Sequence, residues 1–420
     1  MYFFYTSALY LLVPLVLVRL LWLGKKNPAY HLRWRERFGY VTGLEGNKPI
    51  IWIHAVSVGE IQASRPLVEY LNQHYPDYQI LVTTVTPTGA ATAAQIYGGI
   101  IQHRYFPYDL PGAVKRFLAT VNPVILLILE TEIWPNLYRQ CRAADIPVLL
   151  LNARLSERSL RGYRLLKSLT QQTLQDTRCI AAQSTADAKR FIEAGAPADR
   201  VMVMGNLKFD ISIAASVVEQ GVVIRQKFMV NRPIWIAAST HQGEESLLLD
   251  ALTIVRQNLP DSLLVIAPRH PERFQSVIDL CVKRGFHTVS YTQQDSYDPN
   301  AQVFVLDTLG QLLMYYAAAD IAFVGGSLVP VGGHNMLEPA CLGLPVLTGS
   351  YLFNFTEIAS LLANVDALIQ VTSAEQLASK VLELFSDGNQ RYNMGLRAKQ
   401  VVLENQGSIN KVDRLLKQYL

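Results

Sequence analysis

The sequence predicts an α/β protein made of two doubly wound domains that face a cleft. Short, continuous apolar runs alternate with segments of helical pattern, which indicates parallel sheets covered by helices on both faces. The chain of 420 residues is too long for one ordinary core. The apolar runs also fall into two series, separated by residues 211–232, where no strand signal is found.

The first part of the chain, Tyr2–Val18, carries no charged residue, and its apolar character continues to Leu23. This is close to the ~20 residues of a spanning helix, which Pro14 is expected to kink. Basic residues follow at once, at Lys25, Lys26, Arg33, Arg35 and Arg37. Because positive flanks stay on the cytoplasmic side, we predict that residues 1–24 are a membrane anchor helix with the rest of the chain in the cytoplasm.

A cleaved signal peptide is the alternative interpretation of this segment. It is disfavoured because no basic residues precede the apolar run and no small-residue cleavage site follows it. The next segment, His31–Tyr40, is basic and aromatic. It suits either the lipid headgroup level or an ordinary amphipathic helix packed against the first domain.

The two series of apolar runs give the predicted domain limits. The first series of strands comprises Pro49–Ala55, Gln79–Thr84, Ile101–Phe106, Val124–Leu129, Pro147–Asn152 and Cys179–Ala182. The second comprises Ile234–Ala238, Leu263–Ala267, Val303–Leu306, Ile321–Val324 and Pro345–Thr348. We therefore expect a first domain over 25–210, a linker over 211–232, a second domain over 233–400 and a C-terminal helix over 401–420.

Composition excludes several classes of function. The net charge of +4 is mild, and the basic residues are spread along the chain rather than gathered on an aromatic platform, which argues against nucleic-acid binding. The four cysteines are far apart, and no CxxC or HExxH spacing occurs. We therefore expect buried thiols in a reducing compartment and no metal site.

Acidic residues follow two strands of the first series. Glu60 lies at the predicted start of a helix, where a carboxylate is either a partner of the helix dipole or a general base. Glu130 and Glu132 follow a run of six apolar residues. Buried carboxylates are costly unless paired, so Glu130 is a functional candidate, whereas Glu132 is expected to start a helix before Pro135.

Basic residues follow other strands of the same series. Lys208 could neutralise a carboxylate or phosphate, although a surface lysine is the usual alternative. Arg154 follows another strand and offers a guanidinium fork to an anion. In the second series, polar loops follow the strands at residues 239–245, 268–271 and 307–311. Such loops lie at one edge of a parallel sheet, where nucleotides bind.

The segment Val324–Pro339 (VGGSLVPVGGHNMLEP) carries two Gly-Gly pairs after a strand. Such a loop lets the backbone approach a ligand closely. We expect a helix that starts near Asn335, whose free N–H groups face a phosphate lying over Gly332 and Gly333. Asn335 and Glu338 also fit a capping box with a purely structural role. Neither GxGxxG after the first strand nor GxxxxGK[ST] occurs, which argues against dinucleotide redox chemistry and P-loop phosphoryl transfer.

Together these segments resemble one family, the bacterial transferases that attach 3-deoxy-D-manno-octulosonic acid (Kdo) to the lipid A precursor. The matching motifs run in family order: RERFGY, IHAVSVGE, ETEIWPN, LNARLSERS, GNLKFD, STHQGEE, APRHPERF and GGSLVPVGGHNMLEP. The resemblance implies a GT-B glycosyltransferase with two Rossmann-like domains. It also implies inverting, metal-independent transfer from CMP-Kdo to lipid IVA at the inner membrane, without a cofactor.

The resemblance also implies roles for single residues. Glu60 would be the general base, and Glu130 and Lys208 would stabilise the transition state. The CMP site would be lined by Pro268, Arg269, Leu309, Gly310, Gln311, Asn335, Met336, Leu337 and Glu338.

Two other functions are compatible with this architecture. One is a nucleotide-sugar 2-epimerase or hydrolase, which would need neither a lipid acceptor nor an apolar N-terminus. The other is a membrane-tethered nucleotide-sugar binding protein without activity, in which Glu60 would only start a helix.

Overall fold

The computed structural model describes residues 1–293 and 297–420. They form two compact units, the first made of Met1–Asp210 with Asn405–Leu420 and the second of Ile211–Glu404. Each unit is built on a seven-stranded sheet, and all strand pairs in both sheets are parallel. The predicted α/β fold with two doubly wound domains is confirmed.

The first sheet has the strand order β3-β2-β1-β4-β5-β6-β7. Its strands are β1 (Ile50–His54), β2 (Gln79–Thr84), β3 (Gln102–Tyr105), β4 (Pro123–Leu129), β5 (Val148–Ala153), β6 (Cys179–Ala182) and β7 (Val201–Val203). Its helices are α1 (Tyr2–Lys26), α2 (Val58–His74), α3 (Pro87–Tyr97), α4 (Pro111–Val121), α5 (Pro135–Ala143), α6 (Glu157–Leu165), α7 (Lys167–Leu174) and α8 (Thr185–Glu193). The direction of strand addition reverses between β1 and β4, which is the topological switch point of this sheet.

Alternation along the central strands divides the first core into two layers. Trp52 belongs to the cluster on one face of the sheet, with Phe117 and Leu126, whereas Ile53 belongs to the cluster on the other face, with Leu127. Both layers are predominantly apolar because helices cover both faces of the sheet. This explains why the sequences of these strands are continuous apolar runs and do not alternate between apolar and polar residues.

The second sheet has the order β10-β11-β9-β8-β12-β13-β14, with its switch point between β8 and β12. Its strands are β8 (Ile234–Thr240), β9 (Leu263–Pro268), β10 (Thr288–Ser290), β11 (Val303–Val305), β12 (Ile321–Val324), β13 (Val346–Thr348) and β14 (Leu368–Gln370). Its helices are α9 (Ala215–Lys227), α10 (Glu244–Asn258), α11 (Phe274–Lys283), α12 (Leu312–Ala318), α13 (Leu337–Cys341), α14 (Thr356–Ala363), α15 (Ala374–Ser386) and α16 (Gly388–Asn405).

Residues 211–232, expected to form a linker, lie in the second unit. Helix α9 packs against α12, and Gly221 approaches Ala317 so closely that a Cβ atom would lie 2.4 Å from the alanine side chain. Arg225 donates to the carboxylate of Asp320 at 2.9 Å and to the carbonyl of Ala318 at 3.0 Å. This segment is therefore part of the second domain's packing.

The C-terminal residues return to the first unit as helix α17 (Ser408–Leu416). The carboxylate of Asp210 accepts the N–H groups of Gly407 at 2.6 Å and Ile409 at 3.2 Å. Val412 and Leu416 complete one core layer of the first sheet. Residues 401–420, expected to be one helix, are thus the end of α16, a turn and α17.

Helix α1 is, within the described ranges, the one helix long and apolar enough to cross a membrane by length and composition. It runs from Tyr2 to Lys26 and continues through Pro14. The segment after it forms two short 3₁₀ turns. The first, Pro28–His31, packs against α1, and the second, Trp34–Phe38, packs against α4 and β3. The guanidinium of Arg37 is buried and donates to the carbonyl of Val85 at 2.6 Å.

We predict that Asp210→Ala loosens α17 and lowers the free energy of unfolding by about 1–3 kcal/mol, because two partly buried N–H groups lose their acceptor. Urea unfolding measures this change. Asp199→Ala, at an exposed position in the same unit, is the matched control and should stay within about 0.5 kcal/mol of wild type. Equal stability of the two variants would contradict the role assigned to Asp210.

Candidate active site

The site in the first unit lies at the switch point of its sheet. Strands β1 and β4 pair in parallel, with His54 opposite Ile128, so both strands end at the same edge. Glu60 lies in the first turn of α2, directly after β1, and Glu130 is the first residue after β4. The structure therefore brings these two sequence-predicted residues to one edge of the sheet, where doubly wound proteins bind ligands.

The carboxylate of Glu60 is held by the turn that starts α2. Its Oε2 accepts the N–H of Val56 at 2.7 Å, and the N–H of Glu60 donates to the N-cap hydroxyl of Ser57 at 3.2 Å. Glu60 is 6% exposed, and burial, with a further contribution from the charge of Glu130, raises the pKa of its carboxyl to about 7. The capping role and a catalytic role are both compatible with this geometry.

The loop after β4 holds Glu130 in an unusual backbone conformation. Its φ is 58°, in the left-handed region that side-chain-bearing residues seldom adopt. The hydroxyl of Thr131 donates to the carbonyl of Arg154, and the hydroxyl of Tyr138 donates to the carbonyl of Glu132 at 2.7 Å. Such conformations persist where the surrounding contacts enforce them, often at functional sites.

Glu132 has a different place from the one expected from sequence. Helix α5 begins at Pro135 with Trp134 as its N-cap, so Glu132 does not start the helix. Burial, and then the neighbouring charge of Glu60, raise the pKa of its carboxyl to about 7. Glu132 is therefore a third carboxyl of this site, and the pair of acids after β4 was the signal for it.

Lys208 lies in a 3₁₀ turn, Leu207–Phe209, that packs against α2. The side-chain oxygen of Asn152 accepts the N–H of Leu207 at 3.0 Å, and that of Asn206 accepts the N–H of Lys208 at 3.0 Å. The half-buried Lys208 is thus fixed through its backbone next to the helix that carries Glu60. Arg154, the other predicted anion ligand, is exposed.

His54 is a buried neighbour of this site that the sequence reasoning left without a role. Its ring stacks on Phe106 at 3.7 Å, and its Nδ1 lies 2.9 Å from the hydroxyl of Thr83. Burial lowers the pKa of the imidazole to about 3, so the ring is neutral. In the part of the chain that the structure describes, its Nε2 has no hydrogen-bond partner.

In the second unit, four loops of the predicted donor site follow four neighbouring strands, β11, β9, β8 and β12. Pro268 ends β9, and the N–H of Arg269 donates to the carbonyl of Thr240 at 3.1 Å. Gln311 is the N-cap of α12 and follows the exposed Leu309 and Gly310. Because parallel strands end at one edge, these residues and the glycine loop after β12 lie along the same edge of the sheet.

The glycine loop is fixed by the buried carboxylate of Glu244, at the start of α10. This carboxylate accepts four backbone N–H groups, those of His241 at 2.9 Å, Gly326 at 2.7 Å, Ser327 at 3.0 Å and Leu328 at 2.9 Å. Burial raises the pKa of Glu244, and these hydrogen bonds oppose that effect. Glu244 was not singled out from sequence, because nothing local distinguishes it from a helix-start residue.

The loop at Gly332 and Gly333, over which a phosphate is expected, is closed by its own hydrogen bonds. Both residues have positive φ angles, 110° and 77°, as a glycine loop predicts. Their N–H groups, however, donate to the carbonyl of Gly326 at 3.1 Å and 2.7 Å. They fold the loop back on itself and do not point at a ligand.

Helix α13 begins at Leu337, two residues later than expected, and spans five residues. The side-chain oxygen of Asn335 accepts the N–H of Leu337 at 3.1 Å, and its amide donates to the carboxylate of Glu338 at 3.1 Å. Met336 and Leu337 are fully buried. These two residues can therefore meet a ligand only through their main chain, whereas Asn335 and Glu338 are partly exposed.

Two histidines link the loops after β8 and β12. The Nε2 atoms of His241 and His334 lie 2.8 Å apart, and their rings are nearly parallel. Burial lowers the pKa of His334 to about 3 and also lowers that of His241. Both rings are therefore neutral at pH 7, so one can donate the hydrogen bond and the other accept it. Across residues 1–293 and 297–420, the structure has no group of three or more His, Cys, Asp or Glu side chains that could hold a metal ion.

Comparison with known proteins gives matches over both units. Residues 32–211 match a family model described as 3-deoxy-D-manno-octulosonic-acid transferase, and residues 240–401 match the glycosyl transferases group 1 model. The chain is 39% identical to a 3-deoxy-D-manno-octulosonic acid transferase of Haemophilus influenzae, covering 100% of this chain and 98% of the relative. It is 32% identical to the Bordetella pertussis protein of the same name, covering 99% of each.

Solved structures with low sequence identity share the fold. A glycosyltransferase from Rickettsia africae has a TM-score of 0.55 at 16% identity, over 89% of this chain and 99% of that one. A UDP-GlcNAc 2-epimerase from Neisseria meningitidis has a TM-score of 0.56 at 15% identity, over 88% of this chain and 100% of that one. The architecture is thus that of GT-B proteins, and the two relatives that match the chain over nearly its full length, at 39% and 32% identity, decide the family. This chain belongs to the family of 3-deoxy-D-manno-octulosonic acid transferases, which are glycosyltransferases.

Proposed function

We propose that this chain transfers Kdo from CMP-Kdo to the lipid A precursor, lipid IVA, at the cytoplasmic face of the inner membrane, as a step of lipopolysaccharide synthesis. The observation that carries the proposal is the buried carboxyl of Glu60 in the first turn of α2, with a pKa of about 7. A base works best when its pKa lies near the working pH, since it is then both available and strong. The identity of 39% and 32%, over nearly the full length, to transferases of this name supports the choice of sugar.

In the proposed reaction, the ionised carboxylate of Glu60 takes the proton of an acceptor hydroxyl. The hydroxyl oxygen forms a bond to the anomeric carbon of Kdo while the bond from that carbon to the phosphate oxygen of CMP breaks. Attack on the face opposite the leaving group inverts the configuration, by the logic of inverting glycosidases. The proton remains on Glu60, and the electron pair of the broken bond leaves with CMP.

Glu130 and Lys208 would stabilise charge during this step. The anomeric carbon gains positive character in the transition state, which a nearby carboxylate such as Glu130 favours. Lys208 carries a positive charge that can neutralise the carboxylate of Kdo or the departing phosphate. Both residues are fixed by their backbones, Glu130 in a left-handed conformation and Lys208 in a short turn. Such positions need little reorganisation during the reaction.

The second unit would hold the CMP part of the donor. Arg269 offers a guanidinium to the phosphate, and Asn335 and Glu338 offer polar groups to the ribose hydroxyls. Pro268, Leu309, Gly310, Gln311 and the main chain of Met336 and Leu337 would complete the wall of the nucleotide site. Glu244 keeps the glycine loop in one shape. Arg269 would meet the charge on the leaving phosphate, so we propose that the reaction needs no metal ion.

The direct test is a mass-spectrometric assay with CMP-Kdo and lipid IVA. We expect a product heavier by one or more Kdo units, with an unchanged rate when EDTA is present. Consumption of CMP-Kdo without acceptor would favour a hydrolase or epimerase, and CMP binding without any product would favour a binding protein. Loss of activity in EDTA would contradict the metal-free reaction.

We predict that Glu60→Gln abolishes most transfer, lowering kcat by about 10²–10⁴-fold, because the amide cannot accept the proton. The same change should stabilise the fold at pH 8 by about 1–3 kcal/mol. In the wild type, the pKa of Glu60 is higher in the folded state than in the unfolded state, so ionisation of this buried carboxyl at pH 8 destabilises the fold. Well below pH 4.5, Glu60 is protonated in both the folded and the unfolded state, and the difference in stability between wild type and variant should vanish. Steady-state assays and urea unfolding at the two pH values measure the effects.

Ser57→Ala is the matched control for the capping role. It removes the N-cap acceptor of Glu60, so it should cost about 1 kcal/mol of stability with a much smaller loss of kcat. If Ser57→Ala and Glu60→Gln reduce kcat equally, the base role of Glu60 is wrong.

We also predict an acid limb near pH 7 in the profile of kcat/KM, because the base must be ionised and its pKa is about 7. Glu130→Gln removes a charge that raises the pKa of Glu60, so the limb should move to lower pH even though the maximal rate falls. Profiles of both proteins between about pH 5 and about pH 9 measure the shift. A limb that stays in place in Glu130→Gln would contradict the electrostatic coupling.

A further inference from the structure

Helix α1 turns one face toward its own domain along its whole length. The residues on this face are partly or fully buried and recur every three or four positions, at Tyr5, Leu9, Val13, Val16, Leu20 and Gly24. This is the spacing of one helix face. Contact with the protein is therefore continuous from the first turn of α1 to its last.

The N-terminal end of α1 is attached by hydrogen bonds. The hydroxyl of Tyr5 donates to the carboxylate of Asp109 at 2.9 Å, and the hydroxyl of Thr6 donates to the side-chain oxygen of Asn136 at 3.0 Å. Asp109 and Asn136 are each 4% exposed. The carboxylate of Asp109 also accepts the N–H groups of Asn136 at 3.0 Å and Leu137 at 2.7 Å, at the start of α5. The first turn of α1 is thus joined to buried groups of the first domain.

The C-terminal end of α1 is attached to the same domain. Gly24 touches the ring of His31, and a Cβ atom at this position would lie 1.8 Å from its Nε2. After this turn, Arg33 donates to the carbonyl of His103 at 2.7 Å, and Arg37 is buried against Val85. Both ends of α1 are therefore held on one folded unit.

A helix held in this way cannot cross a bilayer. With 25 residues at ~1.5 Å each, α1 is ~37 Å long, and the hydrocarbon core is ~30 Å thick. In a spanning arrangement, Tyr5 and Thr6 would lie at the far side of the membrane from Lys25 and Lys26. They would then lose their bonds to Asp109 and Asn136, which belong to the same domain as the residues that hold the other end.

The opposite face of α1 is apolar and uncovered. Phe4 is 73% exposed, Leu11 79%, Leu15 64%, Val18 63% and Trp22 55%. These positions again share one helix face. They form a continuous apolar stripe of the length of the helix, much larger than the isolated exposed apolar residues of ordinary surfaces.

The rim of this stripe is basic and aromatic. Lys26 lies over the ring of Trp22 at 4.3 Å. Arg35 and Arg116 lie over the ring of Tyr40 at 5.5 Å and 4.4 Å, and together they line a cavity of about 520 Å³.

The basic cavity lies beside the middle of α1. A Cβ atom on Gly112 would be 3.4 Å from the guanidinium of Arg116 and 3.7 Å from the hydroxyl of Tyr10. This arrangement suits a lipid surface. The two arginines can bind the anionic phosphates of the headgroups, and the apolar stripe can contact the acyl chains beneath them.

We propose that α1 lies flat in the interface of an anionic bilayer, with the stripe from Phe4 to Trp22 among the acyl chains and Arg35 and Arg116 against lipid phosphates. The expected span over residues 1–24 is thereby replaced by attachment to one leaflet. The proposal concerns how the chain meets the membrane and does not depend on which sugar it transfers.

Depth measurements with nitroxide labels separate the two arrangements. Single cysteines would replace Phe4, Leu11 and Val18 in the full chain, with the half-buried Cys341 changed to serine, on vesicles of phosphatidylcholine with phosphatidylglycerol. A flat helix gives three similar depths, ~5–10 Å below the headgroups. A spanning helix would place Leu11 ~10 Å deeper than Phe4 and Val18, since seven residues separate each pair. That second pattern would overturn the proposal.

Vesicle flotation gives an independent measurement. Leu11→Asp with Leu15→Asp should reduce binding at least about tenfold, whereas Leu403→Asp, at a similarly exposed leucine of α16, should leave it unchanged. Arg35→Ala and Arg116→Ala should each lower binding about fivefold when phosphatidylglycerol is present and not on pure phosphatidylcholine. A chain that dimerises through α1 in solution and does not bind vesicles would overturn the proposal and assign the stripe to a second copy.

Discussion

Parallel pairing of the central strands is the constraint on which the candidate site depends. In a parallel sheet every strand ends at the same edge. Residues that follow neighbouring strands therefore lie close together, even when they are far apart in sequence. β1 next to β4 brings Glu60 and Glu130 to one edge of the first sheet, and β8 next to β12 brings the loops of Glu244 and the glycines together in the second. The helices on both faces bury the sheet and leave this edge as the place for polar chemistry.

Polar groups at these edges are held in costly states. Glu130, Asn152 and Ser239 have φ angles of 58°, 53° and 57° at or just after strand ends, although none is glycine. Glu60 is buried, and the pKa of its carboxyl is raised to about 7. Burial of the apolar layers around the sheet offsets the free-energy cost of these states. The polar groups are therefore already in place and need not rearrange when a substrate binds.

The sequence was sufficient for the architecture and for the positions of most candidate residues. The three-residue strands β7, β10 and β14 were not predicted. The equally short β11 and β13 were predicted, because each lies within a longer apolar run, Val303–Leu306 and Pro345–Thr348. Hydrogen bonds between distant segments were beyond prediction. Thus Gly332 and Gly333 have the backbone angles expected of a phosphate loop, yet their N–H groups are taken by Gly326, and Glu132 belongs to the carboxyl cluster only because of how the loop after β4 folds.

The carboxylate of Asp109 has a consequence for how this enzyme should be handled. It holds the start of α5, just after the loop of Glu130, and it also accepts the hydroxyl of Tyr5 from α1. A chain shortened to remove the apolar N-terminus for the sake of solubility would leave this buried acid without one of its donors, next to the loop that carries a candidate catalytic residue. The N-terminal helix is therefore also a structural part of the first domain, and a shortened enzyme is an altered enzyme.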